Sequence, residues 1–257
     1  MKLIDLIRPY DIKGPLKRFG NIQDGGYVLN YKFLKLTERL YSYGFGNDFS
    51  FEKDIVNCIN NYHVYIYDHT VDNIKDIYPK ITFYKNGLSS SKTKNCDTFM
   101  NHIDQNNDNN KKIILKIDIE SNEIDFFSKI NMKNLKNVVQ MVVEFHMVYL
   151  DENAIYLQSF NKDLILENIG VIGNLYKKTL DILNKINQHF YCIHIHPNNF
   201  SPTVDIEGVG YPMIFECTFI NKEYVDYEPK LIYNKTYPIL NLDYENSISN
   251  KQICVTF

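Results

Sequence analysis

Apolar runs that alternate with helix-like segments are the main structural signal in this chain. Seven short runs rich in β-branched and aromatic residues have the length of strands, at residues 39–43, 63–67, 81–84, 113–119, 138–145, 191–195 and 213–220. The fourth and fifth runs are almost continuously apolar, which is typical of strands covered on both faces. Apolar residues at helical spacing occur between strands, as at residues 51–60 and 153–168.

The order of these elements predicts a fold class. Strand and helix alternate about five times, and strands dominate afterwards. This order predicts a Rossmann-like α/β fold with a mostly parallel seven-stranded sheet, an antiparallel edge and helices on both faces. The chain has 257 residues, a size that single α/β domains often reach. The first 35 residues stand outside the alternation. We therefore predict an N-terminal cap or lid at 1–35 and the main domain at 36–257, which together form one globular unit.

Composition and charge narrow the functional classes. The formal net charge is -3, so the chain lacks the excess positive charge of a general nucleic-acid or anionic-membrane surface. The five cysteines are scattered without a CxxC motif, which argues against a disulfide framework and favours a reducing compartment. Charges interrupt the apolar residues at 1–10, so we expect no signal peptide or membrane span there. These features predict a cytoplasmic protein with no nucleic-acid partner.

A short glycine motif follows the first predicted strand. Gly44, Phe45 and Gly46 form a Gly-x-Gly turn at this point. Glycine lets the backbone pass close to a nucleoside-type ligand, because no Cβ intrudes. A tight strand-to-helix turn that only happens to use glycine is the alternative. The chain has neither GxGxxG nor GxxxxGK[ST], which counts against an NAD pyrophosphate site and excludes a P-loop.

An acidic residue ends the second predicted strand. Asp68 lies 22 residues after Gly46. A carboxylate at this distance from the glycines can accept hydrogen bonds from both ribose hydroxyls. The alternative is an aspartate that begins a turn. NAD and S-adenosylmethionine share this feature, and the single short glycine motif favours S-adenosylmethionine.

Acidic and histidine side chains follow three later strands. In chain order the pairs are Asp118 with Glu120, Glu144 with His146, and His194 with His196. The carboxyl ends of parallel strands line the ligand crevice, so these pairs are expected to converge beside the cofactor. Methyl transfer to a hydroxyl needs a general base, and a histidine or a carboxylate can serve. We predict a catalytic set of Asp118, Glu120, Glu144, His146 and His196.

Two other interpretations of these strand ends stay open. Each pair taken alone could simply cap its strand. The same residue types also match a hard divalent metal site, with Asp118, Glu144 and His146 as ligands, that would bind and acidify a sugar diol.

A turn signal lies in the N-terminal segment. Asp24, Gly25 and Gly26 precede Tyr27, and Asp-Gly-Gly is typical of turns. The segment could form a lid over the cofactor or substrate, or a plain hairpin before the main domain begins.

Together these residues resemble the FkbM-like methyltransferases and a related methyltransferase group with a DGGY segment. The matching segments run in family order and span roughly residues 18 to 220: DGGYVL at 24–29, SYGFGNDFSFE at 42–52, YDHT at 67–70, LKIDIESNEIDFF at 115–127, VVEFH at 142–146 and HIHPNN at 194–199. LKIDIE followed by EFH and HPNN is more specific than the glycine turn. One departure is Ser121, where the family often has glycine.

The resemblance implies a class I methyltransferase fold, S-adenosylmethionine as methyl donor, and O-methylation. Carried over by position, it implies a cofactor-binding set of Gly44, Phe45, Gly46, Asp68, His69, Leu88 and Asp118. The glycines would line the methionine part, Asp68 would hold the ribose beside His69, and Leu88 would contact adenine. Asp118, Glu144 and His146 would face the reacting hydroxyl.

The resemblance also implies a substrate class. The chain is similar to sugar O-methyltransferases of bacterial capsular polysaccharide synthesis, which implies a nucleotide-linked sugar or glycan as partner, with a GDP-heptose as one candidate. The alternatives are an NAD-dependent nucleotide-sugar oxidoreductase and a non-catalytic nucleotide-binding module. A homo-oligomer is compatible with all three.

Overall fold

A seven-stranded sheet forms the centre of the molecule in the computed structural model, which describes residues 2–59, 62–72, 78–147, 169–201, 203–206 and 209–257. The strands are β1 (Arg39–Tyr43), β2 (His63–Tyr67), β3 (Ile81–Tyr84), β4 (Ile113–Ile117), β5 (Val138–His146), β6 (Phe190–Pro197) and β7 (Ile214–Asn221). They lie in the order β6-β7-β5-β4-β1-β2-β3. The five strands from β5 to β3 are mutually parallel, and β7 is antiparallel to both β5 and β6. The predicted Rossmann-like α/β fold is confirmed, with the antiparallel strand one place in from the edge.

The chain changes its direction of travel across the sheet after β3. The first three strands build outward on one side of β1, and β4 then pairs with the other side of β1. In open α/β sheets, ligands bind outside the carboxyl ends of the strands at such a switch point. The ends of β1 and β4, at Tyr43 and Ile117, therefore mark where a site is expected.

Helices cover both faces of the sheet. They are α1 (Leu3–Leu6), α2 (Tyr31–Leu34), α3 (Ser50–Cys58), α4 (Phe99–Gln105), α5 (Asn122–Lys129) and α6 (Ile169–Asn187), with 3-10 turns at Met132–Leu135 and Lys222–Tyr224. Successive strand residues point to opposite faces. Accordingly, Leu40 packs in a core with α2 and α3, and Tyr41 packs in a second core with α1, α4, α5 and α6.

The N-terminal segment packs against the sheet on both faces. Strands Leu16–Gly20 and Gly26–Asn30 form a hairpin, called the N-terminal hairpin below. The Thr218 hydroxyl of β7 donates a 2.6 Å hydrogen bond to the Val28 carbonyl of this hairpin. On the other face, the Asn187 side chain of α6 donates to the Leu6 carbonyl of α1 at 2.7 Å. The division of the chain at residue 35 stays a prediction.

Four short strand pairs complete the described structure, and they lie outside the central sheet. They are Tyr10–Asp11 with Lys230–Leu231, Gly87–Leu88 with Cys96–Asp97, Thr203–Ile206 with Val209–Pro212, and Thr236–Tyr237 with Val255–Thr256. The helix predicted at 153–168 falls outside the described residues. Among the helices that are described, none is both long enough and apolar enough to span a bilayer.

Candidate functional site

The glycine turn after β1 crosses directly over the end of β4. Gly44 has a φ of +82°, and a Cβ placed on it would overlap the backbone carbonyl oxygen of Asp118. Hydrogen bonds hold this crossing in place, because the Asp118 N–H donates to the Tyr43 carbonyl at 3.0 Å and the Gly44 N–H donates to the Tyr67 carbonyl at 3.1 Å. Both the positive φ and the close approach require glycine here.

Gly46 differs from Gly44 in its surroundings. Its φ is +65°, and no described atom lies within 4 Å of a Cβ placed on it. The two glycines of one motif therefore have separate roles. Gly44 allows two loops to cross, and Gly46 borders open space.

Asp68 is bound to the glycine turn. Its Oδ2 accepts hydrogen bonds from the N–H groups of Phe45, at 2.9 Å, and Gly46, at 3.4 Å. Its Oδ1 accepts from the N–H and hydroxyl of Thr70, at 2.8 and 2.6 Å. Burial raises the pKa of Asp68, but the hydrogen bonds from Thr70, Phe45 and Gly46 outweigh burial, and the net pKa is lowered. The carboxylate is thus ionised at neutral pH, and donors of the chain itself occupy its four acceptor positions.

The remaining residues predicted to bind the cofactor lie along the same end of the sheet. His69 is exposed, and its ring lies against Gly87, where a Cβ would approach the His69 Nδ1 to 2.6 Å. Leu88 is buried in the core that contains α4. Phe45 is buried beside the rings of Phe49 and Phe83, with centroid distances of 6.2 and 6.3 Å.

Three of the predicted catalytic residues form a close group at the tips of β4 and β5. Ligand-type atoms of Asp118, Glu120 and His146 all lie within 4.8 Å of one another, and we call these residues the DEH group. The His146 Nε2 is 3.5 Å from a Glu120 carboxylate oxygen. His146 is buried, whereas the Glu120 side chain is 68% exposed. The group is therefore open to solvent on the Glu120 side.

Glu123 of α5 orients the ring of His146 from behind. The His146 Nδ1 donates to the Glu123 Oε1 at 2.9 Å, and the same oxygen accepts from the Ile119 N–H at 3.1 Å. Burial lowers the pKa of His146, but the charge and hydrogen bond of Glu123 dominate and raise it well above its usual value. The two ring nitrogens therefore face different carboxylates, with Nδ1 towards Glu123 and Nε2 towards Glu120.

Glu144 lies on the same face of β5 as His146 but is more deeply buried than the DEH carboxylates. Its side chain accepts a 2.8 Å hydrogen bond from the Asn198 amide, and Glu216 is its direct partner on β7. Burial raises the pKa of Glu144 well above its usual value, and the negative charge of Asp118 raises it further. Two glutamate side chains therefore lie side by side on adjacent strands of the site.

His196 is not brought into the DEH group. Its Nδ1 lies 3.1 Å from the Glu216 Oε1, and the Asn246 amide donates to the same oxygen at 3.2 Å. Burial lowers the pKa of His196, and Glu216 raises it more strongly, so the net pKa is raised. His194 pairs elsewhere, with Asp243 at 2.9 Å. His194 and His196 thus pair with different carboxylates, those of Asp243 and Glu216.

Sequence reasoning missed Lys116 and Tyr27, which hold Asp118 in place. The Lys116 ammonium donates to the Gly44 carbonyl and lies 3.6 Å from the Asp118 Oδ2. The Tyr27 hydroxyl donates to that same Oδ2 at 2.9 Å. Burial lowers the pKa of Lys116, but Asp118, Glu52 and Glu144 raise it more. A signal was present in the sequence, because Lys116 is the single charge inside the apolar run that precedes Asp118.

The N-terminal hairpin contacts both the segment that contains the glycine turn and the DEH group. Its Asn21 amide donates to Asp48, which follows the glycine turn, at 2.9 Å. Its Asp24 accepts from the Asn246 amide at 3.2 Å, and Tyr27 contacts Asp118. The turn predicted at Asp24–Gly26 therefore lies near the carboxyl ends of the strands, and the choice between a lid and a plain hairpin turn stays a prediction.

Comparisons with known proteins add little to this geometry. No family model and no curated protein matches the chain. A solved structure, that of a putative rRNA-methylase from Clostridium thermocellum, is similar over 74% of this chain and 92% of its own, with 11% sequence identity and a TM-score of 0.36. A similarity of this degree assigns neither a family nor an activity.

Proposed function

We propose that the protein is an S-adenosylmethionine-dependent O-methyltransferase that acts on a hydroxyl of a sugar or nucleotide-linked sugar. One observation carries the proposal. The glycine turn, which is hydrogen-bonded to Asp68, lies at the end of β1 at the switch point of the sheet. The DEH group lies at the ends of β4 and β5, and the two sites meet where Gly44 crosses Asp118. A nucleoside-type subsite beside a polar reacting centre is what a group transfer from an adenosyl donor needs.

The cofactor half is consistent with an adenosyl group. The space beside Gly46 can hold part of a ligand, and a Cβ at this position would partly fill that space. Asp68 can bind the ribose if the ribose hydroxyls replace two of its present donors, and the 3.4 Å bond from Gly46 is the weakest of these. His69 and Leu88 lie further along the same end, on the side where adenine is expected. S-adenosylmethionine would supply an electrophilic methyl group there.

The DEH group would hold the acceptor hydroxyl. The carboxylates of Asp118 and Glu120 lie beside His146 and would accept the hydroxyl proton. The His146 ring, which Glu123 holds in place, would hydrogen-bond the acceptor oxygen and orient it. Holding the oxygen in line with the methyl carbon contributes much of the rate in such transfers.

The sugar substrate rests on the family resemblance, as does a role in capsular polysaccharide synthesis in the cytoplasm. The acidic surroundings favour a neutral, hydroxyl-rich acceptor over a polyanion at this point. The net charge of -3 is also unlike that of proteins that bind RNA mainly through its phosphates.

Ligand-induced stabilisation tests the cofactor. At a concentration of S-adenosylhomocysteine or S-adenosylmethionine 100-fold above the Kd, the native state gains about 2.7 kcal/mol, so we expect the Tm to rise by roughly 5–10 °C. NAD is expected to leave the Tm unchanged, because the chain lacks GxGxxG. Differential scanning fluorimetry on the full chain measures both. A shift with NAD alone would favour the oxidoreductase, and no shift with any of these ligands contradicts the proposal.

Replacement of His146 tests the reacting centre. We expect His146→Ala to lower turnover by about 10²-fold or more, because the acceptor oxygen loses the group that orients it. Transfer of a labelled methyl group to a pool of nucleotide-linked sugars measures this. The exposed His189, at the other end of the sheet, provides the matched control, and His189→Ala should keep full turnover. Equal turnover in the two variants would remove His146 from the mechanism.

A further inference from the structure

We propose that Asp118, Glu120 and His146 bind one divalent metal ion at the tips of β4 and β5. The three side chains come from neighbouring parallel strands, and their ligand atoms lie within 4.8 Å of one another. Atoms this close can share one cation after small side-chain movements. Two carboxylates with one imidazole form an oxygen-rich set, which suits Mn²⁺ or Mg²⁺ and leaves further coordination positions for water or substrate oxygens.

The orientation of His146 matches that of a metal-binding histidine. Such histidines usually donate their second ring N–H to a carboxylate, which fixes the ring and makes it a stronger ligand. Here the His146 Nδ1 donates to Glu123 at 2.9 Å, and Nε2 is the nitrogen that faces Glu120. Glu123 is fully buried, and its Oε2 has no partner among the described residues.

Glu144 adds a further buried carboxyl group next to the DEH group. Glu144 is only 5% exposed, and its Oε1 accepts a 2.8 Å hydrogen bond from the Asn198 amide. It lies two residues before His146 on β5, so the two side chains point to the same face of the sheet.

The balance of charge around the group leads to the same conclusion. Four carboxylates, those of Asp118, Glu120, Glu123 and Glu144, are gathered around His146. Among the described residues, Lys116 is the lysine within ion-pair distance of the group, at 3.6 Å from the Asp118 Oδ2, and its ammonium also donates to the Gly44 carbonyl. A divalent cation would offset the charges of the neighbouring Asp118 and Glu120 carboxylates.

The cation would deepen the function proposed above, on which its catalytic meaning rests. A bound divalent ion lowers the pKa of a hydroxyl that it coordinates and so eases loss of the hydroxyl proton. Metal binding itself can be measured on the protein without any methyl acceptor.

Manganese titration tests the site directly. Full-length protein is treated with EDTA, dialysed, and titrated with Mn²⁺, and the loss of the electron paramagnetic resonance signal of free Mn²⁺ counts the bound ions. We expect one Mn²⁺ per chain, displaced by excess Mg²⁺. Glu120→Gln and His146→Ala should each weaken binding at least tenfold, and Glu123→Gln should weaken it 10- to 100-fold through the orientation of His146.

Matched controls separate a specific site from general acidity. Glu38→Gln removes an exposed carboxylate that pairs with Lys111 far from the group, and it should leave Mn²⁺ affinity unchanged. Because Glu120 is mostly exposed, Glu120→Gln should fold normally, which circular dichroism can verify. Absence of a stoichiometric Mn²⁺ site, or equal affinity in wild type and Glu120→Gln, overturns the proposal.

The two proposals fail in distinguishable ways. If S-adenosylhomocysteine stabilises the protein but Mn²⁺ does not bind, the metal site is wrong and the methyltransferase proposal stands. If Mn²⁺ binds at the DEH group but no adenosyl ligand stabilises the protein, the metal site stands and the methyltransferase proposal fails.

Discussion

Replacement of Gly44 by alanine is expected to lower the free energy of unfolding by about 3 kcal/mol or more. The new Cβ would overlap the Asp118 carbonyl oxygen, and the residue would also be held at a φ of +82°. Relief of this overlap would require β1 and β4 to separate. The two strands are paired from Arg39 with Ile113 to Tyr43 with Ile117, so their separation would break this pairing. Urea denaturation followed by circular dichroism measures the loss.

Gly46 supplies the matched control for this variant. Gly46→Ala adds the same methyl group at a φ of +65° but meets no described atom within 4 Å, so the strain should cost only about 1–2 kcal/mol. The methyl group would project into the space assigned to the ligand. We therefore expect Gly46→Ala to stay folded and to lose at least tenfold in affinity for S-adenosylhomocysteine, measured by calorimetry.

Together, the two variants test the separate roles assigned to Gly44 and Gly46. Equal stability of Gly44→Ala and Gly46→Ala would mean that the two loops do not cross as closely as described. Full ligand affinity in folded Gly46→Ala would exclude the open side of this turn as the cofactor site.

Loss of the Lys116 charge is the second change with a large expected effect. Lys116→Met should lower the free energy of unfolding by about 3–5 kcal/mol, because it removes one partner of a buried ionic network. Asp118, Glu52 and Glu144 would then repel one another without the lysine between them. Thermal and urea denaturation of the variant measure the effect.

Two controls identify the cause of that loss. Lys111→Met breaks the ion pair between Lys111 and Glu38, whose side chains are 39% and 43% exposed respectively. Because this pair lies at the surface, the free energy of unfolding should change by only about 0.5 kcal/mol. Adding Glu52→Gln to Lys116→Met should restore part of the loss, since a buried negative charge is removed with the cation. If the double variant is less stable than Lys116→Met, packing and not charge explains the importance of Lys116.

The sequence predicted much of the fold because the sheet is buried on both faces. Runs such as 113–119 and 138–145 are nearly all apolar, and each forms a strand of the central sheet, at Ile113–Ile117 and Val138–His146. The strand order was out of reach, since every central strand presents similar apolar faces. Nothing local to 214–221, for instance, shows that this strand inserts between β5 and β6.

Proximity of Asp118, Glu120 and His146 followed from sequence by a simple rule, because parallel strands end at one edge of their sheet. The partners of these residues did not follow. Glu123 reads as an ordinary polar residue in the first turn of a helix, and only the packing of α5 against β5 places it behind His146.

Sequence alone determined which chemical groups this protein gathers at its strand ends, since element type and chain direction are local properties. Tertiary structure decided what each group can do there. It divided the tasks of Gly44 and Gly46, filled the acceptors of Asp68 with donors from Phe45, Gly46 and Thr70, and fixed the ring of His146 through a buried glutamate. These properties depend on distances and burial between residues far apart in the chain, and a linear pattern contains neither.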